Sequence, residues 1–257
     1  FFDLAELLKQ NGHEVAFFSM KSRANEKSEW SKYFVSEVDF TRREGFFAEA
    51  GKAARYMYNI EARENLKKLL ADFKPDIVHL HNIYHQLSTS VLDALRGYPA
   101  PKIMTLHDYK LICPNYKLFT RGRTCEQCFK HKYYNAVINK CAQNSLAPSL
   151  LAAAEMAIAK TRQIYENVVD YYVSPSRFFA EKVGDWGVRV KRIGVVPNFI
   201  FTDEYEPTEA IGDYYLYAGR LAQEKGISDL VSVFCRHKNI KLKIAGTGPL
   251  ESGLKET

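Results

Sequence analysis

Short apolar segments alternate with longer helical patterns along almost the whole chain. The segments predicted as strands are, in chain order, Val15–Ser19, Ile77–Leu80, Lys102–Leu106, Tyr171–Ser174, Ile193–Val196, Tyr214–Ala218 and Leu242–Ala245. Helical patterns occupy Gly45–Phe73, Gln86–Leu95, Leu146–Asn167, Arg177–Trp186 and Ile227–His237. Because the strands are almost continuously apolar and alternate with helices, the pattern predicts an α/β protein with parallel sheets covered on both faces.

The sequence begins and ends partway through this strand-helix alternation. The first residues form an amphipathic helix with Leu4, Leu7 and Leu8 on one face, and Gly12 ends it before a strand. A parallel strand is expected before such a helix, and the last letters, IAGTGPLESGLKET, stop within a helix that is just starting. We therefore expect the chain to be a fragment of a longer protein.

One segment interrupts the alternation and marks a domain boundary. Pro197–Asp213 is acidic, contains two prolines and lacks the periodicity of a helix or a strand. The strand-helix pattern resumes after it. We therefore predict an N-terminal domain over residues 1–200 and the start of a second domain of the same type over residues 201–257.

Composition and charge narrow the class of partner. With 257 residues the chain can bury a sizeable core in one large domain or two ordinary ones. The formal charge of +6 favours an anionic partner such as a nucleotide, a lipid head group or a nucleic acid, although a mildly basic solvated surface also explains it. No apolar run approaches the roughly 20 residues that span a bilayer.

The stretch YAGRLAQEKG places two cations and two glycines where a strand runs into a helix. Arg220 can fork onto two phosphate oxygens, and Lys225 adds a compact charge. Glycines stand beside them at Gly219 and, after the next strand, at Gly246 and Gly248. Ligands of doubly wound folds bind beyond the carboxyl ends of the strands. Either loop alone is explained by ordinary turns, but both together favour a diphosphate site with room for a nucleotide.

Five motifs, taken together and in this order, resemble the family-4 retaining glycosyltransferases of the GT-B fold: TLHD, VSPS, VVPNF, YAGRLAQEKGISDL and IAGTGPL. The resemblance implies two Rossmann-like domains facing a cleft, the second one truncated. It also implies a nucleotide-sugar donor, whose diphosphate Arg220 and Lys225 would grip without a catalytic metal. The family's glycine-rich loop would precede Phe1 and its glutamate pair would follow Thr257, so we expect the isolated fragment to be inactive.

The resemblance assigns a catalytic role to a histidine at a strand end. His107 follows the strand Lys102–Leu106 and would lie beside the donor sugar and the acceptor; the alternative is a histidine that only caps the strand end. Asp108 is placed on the acceptor side, and because adjacent strand residues face opposite ways, a ready-made His-Asp dyad is not expected unless the chain turns there. His79 and His81 are two residues apart in a strand, so their side chains are expected on the same face. They could form a zinc pair or be ordinary core histidines. Of the two, His81 is expected to line the acceptor site.

Four cysteines lie in the loop formed by residues 113–141. Cys125 and Cys128 have the spacing of a metal knuckle, and Cys113 and Cys141 could complete a tetrahedral structural zinc site. Reduced thiols, or disulfides in an exported protein, are the alternatives. Catalysis itself is expected to need no cofactor.

The same loop mixes lysines and arginines with aromatic residues, a composition that suits a membrane interface, an RNA or simply a solvated surface. We expect a glycan or lipid-linked acceptor, peripheral contact with the inner face of the membrane in the cytoplasm, and no nucleic acid. Two other functions stay open. One is a catalytically silent nucleotide-sugar-binding subunit, and the other is a zinc-stabilised nucleic-acid binder, which leaves the paired glycine loops unexplained.

Overall fold

The structure, a computed structural model, describes residues 1–40, 45–188, 192–237 and 239–256. Its contacts divide the chain into two compact units. Unit 1 contains residues 1–116 and 126–200, and unit 2 contains residues 117–125 and 201–257. The predicted domain limits differ from this division at residues 117–125, which cluster with unit 2. Whether the units are separate folding domains stays a prediction.

Unit 1 is built on a four-stranded parallel sheet. Its strands are β1 (Val78–His81), β2 (Lys102–Thr105), β5 (Tyr171–Ser174) and β6 (Ile193–Val195), and they lie in this order across the sheet. Met104 and Tyr172 are fully buried, as the apolar composition of the strands requires. The predicted α/β class with a parallel sheet is confirmed.

Helices precede the first strand of this sheet and fill the connections between its strands. The helices of unit 1 are α1 (Phe2–Gln10), α2 (Phe46–Met57), α3 (Ile60–Phe73), α4 (Ser90–Leu95), α5 (Tyr134–Ile138), α6 (Leu146–Thr161), α7 (Ile164–Val168) and α8 (Arg177–Asp185). In the described part of the chain, every helix is too short or too polar to cross a bilayer.

Two predicted helices are each divided in the structure. The pattern over Gly45–Phe73 is broken at Asn59, which is buried and whose side chain accepts a hydrogen bond from the Ala62 N–H, so that it caps the start of α3. The pattern over Leu146–Asn167 is broken at Gln163, which adopts a left-handed backbone with φ of 47°. Apolar periodicity continues across both breaks, and therefore periodicity alone does not reveal them.

The predicted strand Val15–Ser19 does not form. Around this segment the described residues make an isolated parallel bridge between Met20 and Val35, with the Lys21 N–H donating to the Val35 carbonyl at 2.8 Å. A strand needs a ladder of hydrogen bonds along a neighbour, and one bridge does not supply it. The prediction of a strand here is wrong.

In the residues that the structure describes, unit 2 contains two small sheets and two α-helices. Its elements are the antiparallel pair β3 (Phe119–Thr120) and β4 (Arg123–Thr124), the parallel pair β7 (Tyr214–Ala218) and β8 (Lys241–Ala245), and the helices α9 (Ile227–Arg236) and α10 (Glu251–Lys255). Tyr215 of β7 packs edge-on against Phe234 of α9. Tyr215 and Leu216, which lie on opposite faces of β7, are 62% and 61% exposed, so both faces of this two-stranded sheet are largely open in the described residues.

Candidate active site

Three histidines contact one another where β1 and β2 end. The register pairs His81 with Thr105, and His107 follows two residues later on the same side. His81 Nδ1 lies 2.8 Å from His107 Nε2, and the ring centres of His79 and His81 are 4.2 Å apart. The predicted shared face of His79 and His81 is confirmed. The contact with His107 has no counterpart in the sequence prediction, because it depends on the register between two strands.

The environment disfavours protonation of these rings. Burial lowers the pKa of His79 and of His107, and burial together with the neighbouring histidines lowers the pKa of His81 to about 3. A neutral imidazole has one donor and one acceptor nitrogen. One ring therefore donates and the other accepts in the His81–His107 hydrogen bond, which orients the ring of His107. Residue His107 itself is exposed, so it can still meet a ligand.

Asp108 has a backbone partner in the structure. The chain bends at Asp108, and its Oδ1 accepts a hydrogen bond from the Lys110 N–H at 2.9 Å, which caps a short helical turn. Burial raises the pKa of Asp108, against the opposing effect of this hydrogen bond. The absence of a ready-made dyad between His107 and Asp108 was expected only for a chain that does not turn here, and with this bend it stays a prediction.

The loop after β1 is held in a strained conformation. Asn82, His85 and Ser88 have φ values of 41°, 62° and 61°, in the left-handed region that costs a non-glycine residue about 1 kcal/mol or more. The buried hydroxyl of Ser88 accepts the Asn59 N–H at 2.9 Å, and Asn59 Nδ2 donates to the Gln86 carbonyl at 2.7 Å. Strained backbone held by buried hydrogen bonds is common at binding sites.

A buried ion pair lies beneath this loop. Lys110 Nζ is 2.7 Å from Glu155 Oε2, and the two side chains are 1% and 9% exposed. The ring of His85 stacks on that of Tyr56 with centres 4.9 Å apart. Burial, followed by the charge of Lys110, lowers the pKa of His85 to about 4. Sequence reasoning missed this pair, because a lysine and a glutamate 45 positions apart carry no local signal of contact.

In unit 2, the loops after β7 and β8 are joined backbone to backbone. The Gly219 N–H donates to the Ala245 carbonyl and the Leu221 N–H to the Thr247 carbonyl, both at 2.9 Å. The Leu250 N–H then donates to the Leu221 carbonyl at 3.1 Å. The two glycine loops therefore form one continuous ledge at the carboxyl ends of the two strands.

This close approach explains why glycines stand in the second loop. A Cβ added at Gly246 would lie 1.9 Å from the Gly219 carbonyl oxygen, and one added at Gly248 would lie 2.3 Å from the Leu221 carbonyl oxygen. Both distances are impossible without movement of the backbone. Gly246 and Gly248 thus have a packing role, and their contact with a nucleotide stays a prediction.

The substitution Gly248→Ala is expected to destabilise unit 2 by about 2 kcal/mol, because the methyl group overlaps the backbone of Leu221. The matched control is Gly253→Ala in α10, where an added Cβ meets nothing within 4 Å and alanine favours the helix. Denaturant unfolding of the purified variants measures the difference. Equal stability of Gly248→Ala and the control would contradict the packing role.

The predicted diphosphate residues stand at the end of β7. Arg220 and Lys225 are both exposed, and Tyr217 Oη donates to the Arg220 carbonyl at 3.1 Å. Gly226 follows with φ of 70° and begins α9, a helix of ten residues whose N-terminus favours negative charge. The loop thus combines two exposed cations, a positive helix end and a firmly hydrogen-bonded backbone. This set of groups is suited to a phosphate-bearing ligand.

Cys113, one of the four cysteines in the zinc prediction, is buried, and its Sγ donates to Asn115 Oδ1 at 2.9 Å. In the described ranges, no group of three or more histidine, cysteine, aspartate or glutamate side chains is placed to hold a metal ion. Zinc binding by the four cysteines stays a prediction.

Comparison with known proteins covers mainly unit 1. Residues 1–204 match the model of the family described as Glycosyltransferase Family 4. A Klebsiella pneumoniae protein described as "Uncharacterized 42.6 kDa protein in cps region" is 26% identical over 192 residues. The alignment covers 74% of the chain and 45% of that protein, so the chain spans less than half of this relative's length. The family match includes His81 and His107 and ends before Arg220.

Proposed function

The chain belongs to glycosyltransferase family 4, and from this we propose that the complete protein is a retaining glycosyltransferase. It moves a sugar from a nucleotide-diphosphate sugar to a glycan or a lipid-linked glycan, in the biosynthesis of a polysaccharide. The observation that carries the proposal is the pair of exposed cations, Arg220 and Lys225, on the ledge at the ends of β7 and β8.

The chemistry of sugar transfer explains what these cations do. The bond between the anomeric carbon and the diphosphate oxygen breaks, and its electron pair leaves with the diphosphate. A new glycosidic bond forms to an acceptor hydroxyl, which loses its proton. Negative charge therefore grows on the diphosphate as the reaction proceeds. Cations fixed at that position stabilise the transition state more than the ground state, as catalysis requires.

On the acceptor side, His107 is the proposed catalytic residue. Its exposed ring is oriented by the 2.8 Å hydrogen bond to His81, so it can contact the sugar or the acceptor hydroxyl from a defined position. His81 and Asp108 are proposed to line the acceptor site. The strained loop at Asn82, His85 and Ser88 adjoins these residues in the chain and supports a binding role for this end of the sheet.

An exposed apolar face supports an acceptor that is presented at a membrane. Helix α5 packs against α6, and each exposes two apolar or aromatic side chains one turn apart, Tyr134 and Ile138 on α5 and Leu146 and Leu150 on α6; Lys140, which follows α5 in the chain, is exposed as well. Apolar and aromatic side chains next to a cation suit the boundary of an anionic bilayer. We propose peripheral contact with the cytoplasmic leaflet, where a lipid-linked glycan would be met.

The complete protein, incubated with UDP-, GDP- and ADP-sugars, tests the proposal. One arm offers soluble glycans as acceptors, and the other offers lipid-linked glycans in anionic vesicles. We expect transfer from one donor class, with the anomeric configuration of the donor retained in the product by NMR. An inverted product would contradict retention. Tight donor binding without transfer or donor hydrolysis would favour a catalytically silent nucleotide-sugar-binding subunit.

A further inference from the structure

A short hairpin from the middle of the chain belongs to unit 2. Residues 117–125 include β3 and β4, and the turn between them uses Arg121 and Gly122 with φ values of 50° and 75°. Two consecutive residues in the left-handed region are typical of the tight turns that suit the twist of a hairpin. The Cys125 N–H closes its base by donating to the Leu118 carbonyl at 2.8 Å.

The hairpin contacts the turn that carries one of the two donor-site cations. Lys117 Nζ, at the base, lies 3.0 Å from Glu224 Oε1. At the tip, a Cβ built on Gly122 would lie 3.2 Å from Gln223 Nε2. Gln223 and Glu224 share a single helical turn with Lys225. The hairpin therefore touches this turn at two places: at its base, through Lys117, and at its tip, at Gly122.

Glu224 is a carboxylate in an otherwise cationic loop. It immediately precedes Lys225 in the sequence. Burial opposes its ionisation, but its backbone hydrogen bond, Lys117 and Arg220 together keep its pKa below the ordinary value. An ionised Glu224 without a partner would repel a diphosphate and offset part of the attraction of Arg220 and Lys225. The pair with Lys117 removes this conflict, and both of its side chains are mostly shielded from solvent, at 29% and 19% exposure.

We propose that Lys117 is a charge-compensating residue of the donor-diphosphate site: its ion pair with Glu224 neutralises that carboxylate next to Lys225. The hairpin thereby removes a negative charge that would oppose a diphosphate at the donor loop. The inference rests on the proposed function, because it assumes that Arg220 and Lys225 bind the donor.

Nucleoside diphosphates serve as probes, since they contain the group in question and no sugar. Binding of UDP, GDP and ADP to the complete protein is measured by calorimetry, with the matching nucleosides as phosphate-free references. For the nucleotide that binds, Lys117→Met is expected to weaken affinity about tenfold, equivalent to about 1.4 kcal/mol, with the nucleoside unaffected. The matched control is Lys130→Met, which removes an exposed lysine of unit 1.

A second substitution separates the electrostatic effect of the unpaired Glu224 carboxylate from a general structural defect. Adding Glu224→Gln to Lys117→Met removes the unpaired carboxylate, so affinity is expected to return to within about twofold of the wild type. A defect in folding would not be repaired in this way. If Lys117→Met does not fold, Glu224→Gln alone decides: tighter diphosphate binding supports the inference, and unchanged or weaker binding overturns it.

The outcomes distinguish a failure of the inference about Lys117 from a failure of the proposed donor site. Wild-type affinity in a folded Lys117→Met variant, or no recovery in the double variant, overturns the inference while the proposed function stands, provided that Arg220→Ala still abolishes binding. A wild-type protein that binds none of the nucleoside diphosphates overturns both.

Discussion

Replacing Arg220 with alanine in the complete protein is expected to lower kcat for sugar transfer about 100- to 1000-fold. The guanidinium stands exposed at the end of β7, where it can donate two parallel hydrogen bonds to the leaving diphosphate. Without it, the growing negative charge loses a stabilising contact worth about 3 kcal/mol in the transition state. Initial rates at saturating donor measure the loss, and nucleoside diphosphate affinity should fall in parallel.

Two further variants make this test specific. Arg220→Lys keeps the charge but loses the planar fork, and its activity should lie between those of the wild type and Arg220→Ala. Arg236→Ala removes an exposed arginine in the last turn of α9, far along the helix from the donor loop, and should leave kcat unchanged. A folded Arg220→Ala variant with near-normal turnover would reject the assigned role.

The largest effect on stability is expected from Glu155→Leu. This change leaves the ammonium group of Lys110 buried at 1% exposure with its 2.7 Å partner removed. An uncompensated buried charge costs about 3–5 kcal/mol, and we expect the free energy of unfolding to fall by that amount. Lys110 Nζ also lies 6.0 Å from the centre of the Tyr56 ring, and this cation–π contact compensates only part of the lost partner. Urea unfolding followed by circular dichroism measures the change.

The double variant Lys110→Met, Glu155→Leu separates the charge effect from the packing effect. Apolar side chains of similar volume remove both desolvation costs, and therefore stability should recover to near the wild-type value or above it. Lys67→Met in α3 is a control, since the side chains of its pair with Glu64 are 48% and 43% exposed. If the single and double variants are equally unstable, the ion pair is not the reason for the loss.

The hydrophobic pattern was sufficient to locate most strands of both units. The predicted Tyr171–Ser174 and Tyr214–Ala218 have the limits that the structure shows, and Ile77–Leu80 differs from β1 by one residue at each end. These segments are continuous apolar runs bounded by turn residues, so their limits are encoded locally. The failure at Val15–Ser19 has the same origin, because an apolar run predicts a strand but does not supply a neighbour for it.

Local chemistry also placed Arg220 and Lys225 at a strand end, since the order strand, glycine, cation and helix can be read along the chain. Only the tertiary structure showed the hydrogen bond between His81 and His107 and the ion pair between Glu155 and Lys110. It alone also showed that the backbone of Leu221 leaves no room for a side chain at Gly248, and that Lys117 pairs with Glu224. Each of these contacts joins residues from separate elements. They depend on strand register and on which segments pack together, and neither is specified by neighbours in sequence.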